Sequence, residues 1–179
     1  MFIRNKLVGK TISLRCAEIA DADFILRLRN DDKISKYLPK LNITVSQQKE
    51  WINSQRNDTL DYYFIIEDAV SQTPLGTISL YDFTDCEAES GRFACLGNPV
   101  QNVESGLLLY DFAFYHLKLS IVKAWVYKDN IGVLNYNRKF GFTFIDGVSS
   151  EGVPCMKGSL TKNSYELASK KLKPYFDRL

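Results

Sequence analysis

Two stretches of this 179-residue chain place glycine, amide and hydroxyl side chains where a strand gives way to a helix. The first is GNPVQNVESG, residues 97–106, between the strand-like RFACL and the apolar SGLLLYDFAFYHL. A helix start presents unpaired backbone N–H groups, and a nearby glycine lets a ligand approach them closely; together they suit phosphate oxygens. Gln101, Asn102, Val103, Glu104, Ser105 and Gly106 are the residues of that segment that would face such an anion. The second stretch, VYKDNIGVLNYNRKFGF (126–142), reads as a strand end, a turn and a helix. Asp129 or Asn130 can cap that helix, and Gly141 stands where a left-handed C-terminal residue is wanted. Tyr136 and Asn137 then project from a short helix beside a strand. Metal chemistry is not expected: Cys16, Cys86, Cys95 and Cys155 are widely spaced without a CxxC pair, and His116 is the sole histidine. His116, on an apolar helix, reads as structural.

The elements that position these residues follow from hydrophobic periodicity. KTISLRCAE (10–18) alternates as a first strand, and DADFILRLRNDD (21–32) and TVSQQKEWINSQ (44–55) read as helices started by Asp21 and Ser46. DYYFIIED (61–68) and PLGTISLYDF (74–83) form a hairpin across AVSQTP, and AESGRFACL (88–96) is a further strand. The stretch 105–117 is too long and apolar for a strand and predicts a core helix; IVKAWVYK (121–128) follows as a strand. FTFIDG (142–147) and SYELASKKL (164–172) are read as the last two strands. The order β-α-α-β-β-β-α-β-α-β-β predicts a single α+β domain over 1–179. Its mixed sheet has about seven strands and about four flanking helices. The helix at 105–117 must cross over between two parallel strands, and the place where those strands part is where a ligand is expected.

Bulk properties narrow the partners. The net charge is +2, and no apolar run approaches the roughly 18 residues that span a bilayer. Neither nucleic acid nor membrane is expected as a partner; the basic tail SKKLKPYFDRL is too short to argue otherwise. MFIRNKLVGK lacks the apolar run of a secretory signal, and scattered thiols suit a reducing compartment, so a cytoplasmic location is expected.

The strand, loop, helix, strand, Asn, helix, GF series resembles the GCN5-related N-acetyltransferase (GNAT) superfamily over essentially the whole chain. Its members bind the pyrophosphate of acetyl-CoA with a Q/R-x-x-G-x-G/A loop. Gln101 and Gly106 match that loop, while Glu104 replaces its middle glycine; a second register lies three or four residues earlier, over Val100 to Asn102. The resemblance implies acetyl-CoA as cosubstrate, with Asn130 on the pantetheine side and backbone N–H groups near Cys95 and Leu96 polarising the thioester. The family's proton-donating tyrosine falls at Asn137; Tyr136 would serve only if the helix were turned by about 100°. Glu89 matches a family glutamate and is the candidate base, with Asp82 and Glu87 in reserve. LRLRNDD...QQKEWI resembles acetyltransferases of nucleotide-linked 4-amino sugars. That resemblance makes Arg29, Asn30 and Trp51 the floor of a pocket for a sugar ring and its diphosphate, with Arg29 as a phosphate contact and Trp51 as a stacking face.

The resemblance thus implies direct acetyl transfer to a primary amine, most closely on a nucleotide sugar. Such an amine, near pKa 8, costs only about 1.4 kcal/mol to deprotonate at pH 7, so one carboxylate suffices. A protein N-terminal-amine acetyltransferase and a non-catalytic acyl-CoA-binding module are the alternatives. A homodimer is compatible with either enzyme.

Overall fold

The computed structural model describes residues 6–57, 61–149 and 152–179. Its centre is YYFII in a strand buried on both faces, β3 (Tyr62–Asp68). Around it runs an eight-stranded sheet with strands β1 (Leu7–Val8), β2 (Ile12–Cys16), β4 (Pro74–Tyr81), β5 (Glu87–Cys95), β6 (Ile121–Tyr127), β7 (Thr143–Val148) and β8 (Pro154–Thr161). Their spatial order is β1-β2-β3-β4-β5-β6-β8-β7, and every pair is antiparallel except β5 with β6. The helices are α1 (Ala22–Asn30), α2 (Val45–Asn57), α3 (Pro99–Asp111), α4 (Ile131–Lys139) and α5 (Lys162–Phe176). Among the described residues no helix is long and apolar enough to cross a membrane.

Side-chain alternation divides the core in two. Tyr62, Phe64 and Ile66 point to the larger cluster, with Leu109, Tyr110, Phe140 and Tyr165 on the face that carries α3 and α5. Tyr63 and Ile65 point the other way, against Ala22, Ile25 and Ile52 of α1 and α2.

Three expectations are corrected. The segment 164–172 is helical: Thr161 caps α5 in a capping box with Ser164, and Tyr165, Ser169 and Phe176 repeat at helical spacing toward the core. The strand missing from the sequence reading is β8, whose Pro154 and Gly158 give a weak strand signal. Gly158 is needed there, because a Cβ would meet the Phe144 ring at 2.7 Å. With the short β1 also unread, the sheet has one strand more than expected. Finally α3 begins at Pro99, not at Ser105.

The parallel pair is joined only at its start. Glu87, Ala88 and Glu89 pair with Ile121, Val122 and Lys123, after which β5 and β6 part. On the other edge of β5, Gly91 faces Ser79 and Ala94 faces Thr77, so Arg92 and Phe93 share the space opposite Ile78. This is a β-bulge, with Arg92 at φ 51° and its carbonyl held by the Thr77 hydroxyl at 2.8 Å.

Candidate active site

The parting of β5 and β6 opens a cavity of about 480 Å³. Its walls are Ser90 to Phe93 of β5 and Ala124 to Tyr127 of β6; α4 contributes Val133, Tyr136 and Asn137, and Lys33, Ile34 and Lys36 to Pro39 line it from the α1–α2 connection. Both sheet faces contribute side chains, since Tyr110 belongs to the α3 face and Tyr81 sits beside Arg92, which stacks toward Tyr63 of the α1–α2 face.

Glu89 lines this cavity and accepts a 2.6 Å hydrogen bond from the Tyr81 hydroxyl. Burial pushes its carboxyl above the usual range, with the Tyr81 hydrogen bond and Arg92 opposing the shift. That environment suits a group that gains a proton during the reaction. Arg92 is held beside it by Asp61 at 2.8 and 2.9 Å and lies 4.2 Å from the Tyr81 ring centroid.

Asn137 is 5 % exposed, lines the cavity, and its amide makes no hydrogen bond to any described residue. Tyr136 is differently placed. Its hydroxyl donates to the Asn102 carbonyl at 3.0 Å, its ring stacks on Phe93 at 4.7 Å, and burial raises its phenol well above the ordinary value. It ties α4 to α3. Asn130 lines the cavity while its side-chain oxygen accepts from the Val133 N–H at 3.2 Å, capping α4.

The segment 97–106 is not an extended loop. Asn98 caps α3 and Pro99 occupies its first turn, so residues 101–106 are helical. Gly106 lies inside α3, where a Cβ would come within 2.3 Å of the Phe140 ring. Val103 packs against the core, and the Ser105 hydroxyl donates to the Asn102 carbonyl at 2.7 Å. Glu104 points to the β1–β2 edge of the sheet. Its carboxylate accepts the N–H groups of Lys10, Thr11 and Ile12 and the Thr11 hydroxyl, at 2.5 to 3.1 Å, and pins α3 to the β1–β2 turn. The Leu96 N–H belongs to the Leu75 carbonyl on the β4 side, turned away from β6. The Cys95 thiol accepts the Gly97 N–H at 3.3 Å, and burial pushes it up to about 11, so it stays protonated at neutral pH.

Arg29 and Asn30 are also displaced from their expected role as ligand contacts. Arg29 is buried and donates to the Pro39 carbonyl at 2.9 Å; Asn30 exchanges hydrogen bonds with the backbone of Leu41 at 2.9 and 3.1 Å. Both pin the connection between α1 and α2, and that connection brings Lys33, Lys36 and Tyr37 to the cavity. Trp51 packs edge-on against Tyr63 at 5.3 Å, outside the cavity lining, with the Arg92 guanidinium 5.6 Å from its ring centroid. Of the reserve carboxylates, Glu87 pairs with Lys123 where the strands are still joined, and Asp82 is absent from the lining. His116 stands at the exposed end of the π-turn after α3.

A family model described as an acetyltransferase (GNAT) domain matches residues 11–143. The chain belongs to the GNAT acetyltransferases. It is an enzyme that transfers acetyl groups, and GNAT members draw these from acetyl-CoA. Among curated GNAT relatives, a probable N-acetyltransferase YjcK of Bacillus subtilis is 27% identical, over 76% of this chain and 82% of its own. The acetyltransferase PseH of Campylobacter jejuni is 25% identical, over 77% of this chain and 87% of its own. A solved structure described as apo FdhC, a nucleotide-linked sugar GNAT, superposes with a TM-score of 0.84 at 29% identity, covering 97% of this chain and 99% of that one.

Beyond Glu89 and Lys123 the facing edges of β5 and β6 are no longer paired with each other, and Asn137 lines the cavity between them.

Proposed function

We propose that this GNAT enzyme acetylates the primary amine of a nucleotide-linked amino sugar. The observation that carries this reading is the rim of the cavity on the α1–α2 side, where Lys33 and Lys36 stand against a single carboxylate of the lining, Glu89, while Arg92 is already paired with Asp61. A rim of that charge attracts a diphosphate and repels a basic peptide. Tyr37 and Tyr127, with ring centroids 6.4 Å apart, and Trp125 beside them add flat faces on which a sugar or base can lie. The likeness to a nucleotide-linked sugar GNAT supports the same substrate class.

In this reading Glu89, with its raised pKa, receives the proton that the amine loses as it attacks. Acetyl-CoA supplies an activated acetyl group at the mouth of the β5–β6 gap. Asn137 donates a hydrogen bond where negative charge gathers on sulfur, yet it has no proton to give up, so the thiolate is protonated by solvent. No acyl-enzyme is needed, and Cys95, protonated and bonded to Gly97, takes no part.

Thiol release from acetyl-CoA, measured with UDP- and dTDP-linked 4-amino-4,6-dideoxyhexoses and with peptides bearing free N-termini, tests the proposal. Turnover of the sugars is expected. Turnover of peptides alone would transfer the assignment to protein N-termini.

A further inference from the structure

Three residues stand in a row across the sheet where β5 begins to part from β6. Tyr81 of β4 is opposite Glu89 of β5, and Glu89 is opposite Lys123 of β6. Lys123 forms its ion pair with Glu87, two residues earlier on β5. The hydrogen-bond partner of Glu89 is therefore Tyr81, whose hydroxyl donates to Oε1 at 2.6 Å. The other carboxylate oxygen, Oε2, makes no hydrogen bond to any described residue. One oxygen of the pair is engaged, and one is left for a ligand in the cavity that Glu89 lines.

Tyr81 is itself held on two sides. Its ring lies against Gly91, where a Cβ would come within 2.6 Å of the hydroxyl and 3.2 Å of the ring. The Arg92 guanidinium lies 4.2 Å from the ring centroid, and Asp61 accepts from its Nη1 at 2.8 and 2.9 Å. Arg92 arrives there through the bulge and a φ of 51°, a left-handed conformation that few non-glycine residues adopt. Bulge, glycine and guanidinium thus converge on one phenol and aim it at one carboxylate. Burial, and then the bond to Glu89, raise that phenol above its ordinary value, so it stays a donor throughout the neutral range.

We propose that Tyr81, clamped between Gly91 and Arg92, is a positioning residue for acetyl transfer: it holds one oxygen of Glu89 and leaves the other to take the amine's proton. The inference rests on the reading of Glu89 as proton acceptor given above. As the amide C–N bond forms and the thioester C–S bond breaks, the amine's proton passes to Glu89 and the thiolate takes one from water. Tyr81 neither gives nor receives a proton. Burial favours the protonated form of Glu89; the bond from Tyr81 opposes it, Asp82 adds to it, and Arg92 and Lys123 oppose it. Lys33 and Lys36 reach the same cavity from the α1–α2 connection. Without the Tyr81 hydroxyl Glu89 keeps its proton to higher pH, so the limb on which kcat falls with falling pH moves upward.

Two titrations test it. Carbon-13 spectra of the full chain labelled at its glutamate carboxyls follow Glu89 without any substrate, its signal assigned by its loss in Glu89→Gln. In Tyr81→Phe the Glu89 titration and the acid limb of kcat are both expected to move to higher pH. On the plateau above the limb kcat should fall about tenfold, with KM for amine and acyl donor within about twofold of the parent. Gly91→Ala keeps the phenol but crowds its hydroxyl away from Glu89, so it should move the limb in the same direction. Added to Tyr81→Phe it should move the limb no further. A tyrosine of structural use alone would lower the melting temperature and leave both titrations in place; that result would overturn the inference while leaving Glu89 as the base. A carboxyl titration that moves while the limb of kcat stays would overturn Glu89 as the proton acceptor, and the positioning role with it.

Discussion

At the scale of single residues the proposed chemistry rests on two side chains that line one cavity from different elements. Glu89 carries a raised pKa because burial disfavours its charge, and it must be ionised to accept a proton. The expected pH profile of kcat therefore falls as pH drops through a value above the ordinary carboxylate pKa, near 4.3. Glu89→Gln should remove that limb and lower kcat by about 10² to 10⁴, read from steady-state thiol release. Asn137 and Tyr136 are neighbours in sequence with different environments, one with a free amide in the cavity and the other bonded to the Asn102 carbonyl. Asn137→Ala is expected to cost about a hundredfold in kcat. Tyr136→Phe should keep most activity and lose about 1 kcal/mol of stability, measured by denaturant unfolding. Glu89, Asn130, Tyr136 and Asn137, all four of which line the cavity, are picked out in the sequence by the family resemblance. Arg92, Tyr81, Lys33, Lys36, Tyr37 and Trp125 are not. Arg92 reaches its place through a bulge and a positive φ that no local pattern in GRF announces, and the lysines lie in a connection without periodicity.

At the scale of elements, periodicity reveals most of the sheet, and capping chemistry decides where the reading fails. The strands from β3 to β6 and the helix α4 follow their alternating or helical patterns. The start of α3 is obscured because Asn98, Pro99, Gln101 and Asn102 look like loop residues, although Asn98 and Gln101 form a capping box around a proline at the favoured position. The same signal, Thr161 with Ser164, opens α5 where a strand is expected. Arg29 and Asn30 show how a motif can be visible while its physical task is not: both grip the backbone of the α1–α2 connection. Asn30→Ala removes two hydrogen bonds to Leu41 and should raise the KM for the amine by about tenfold. The KM for the acyl donor should hardly move, because the donor enters on the other side of the sheet. Equal changes in both constants would mean that the connection supports the whole site and not the acceptor side alone.

At the scale of the molecule, the proposed reaction uses the gap in the mixed sheet as the meeting point of its two substrates. The sheet's single parallel pair separates after Glu89 and Lys123, between a core cluster on one face of the sheet and a second on the other. In the proposed function charge sorts the ligands, since the α1–α2 side of the gap carries Lys33 and Lys36. The central claim is that this side holds the diphosphate of a sugar nucleotide while its amine reaches Glu89. The direct test compares kcat/KM for a nucleotide-linked amino sugar with that for the same amino sugar lacking the nucleotide. Two charge-assisted contacts to the diphosphate should favour the nucleotide-linked form by about a hundredfold or more. Equal values for the two acceptors would contradict the assignment of the basic rim to a nucleotide sugar.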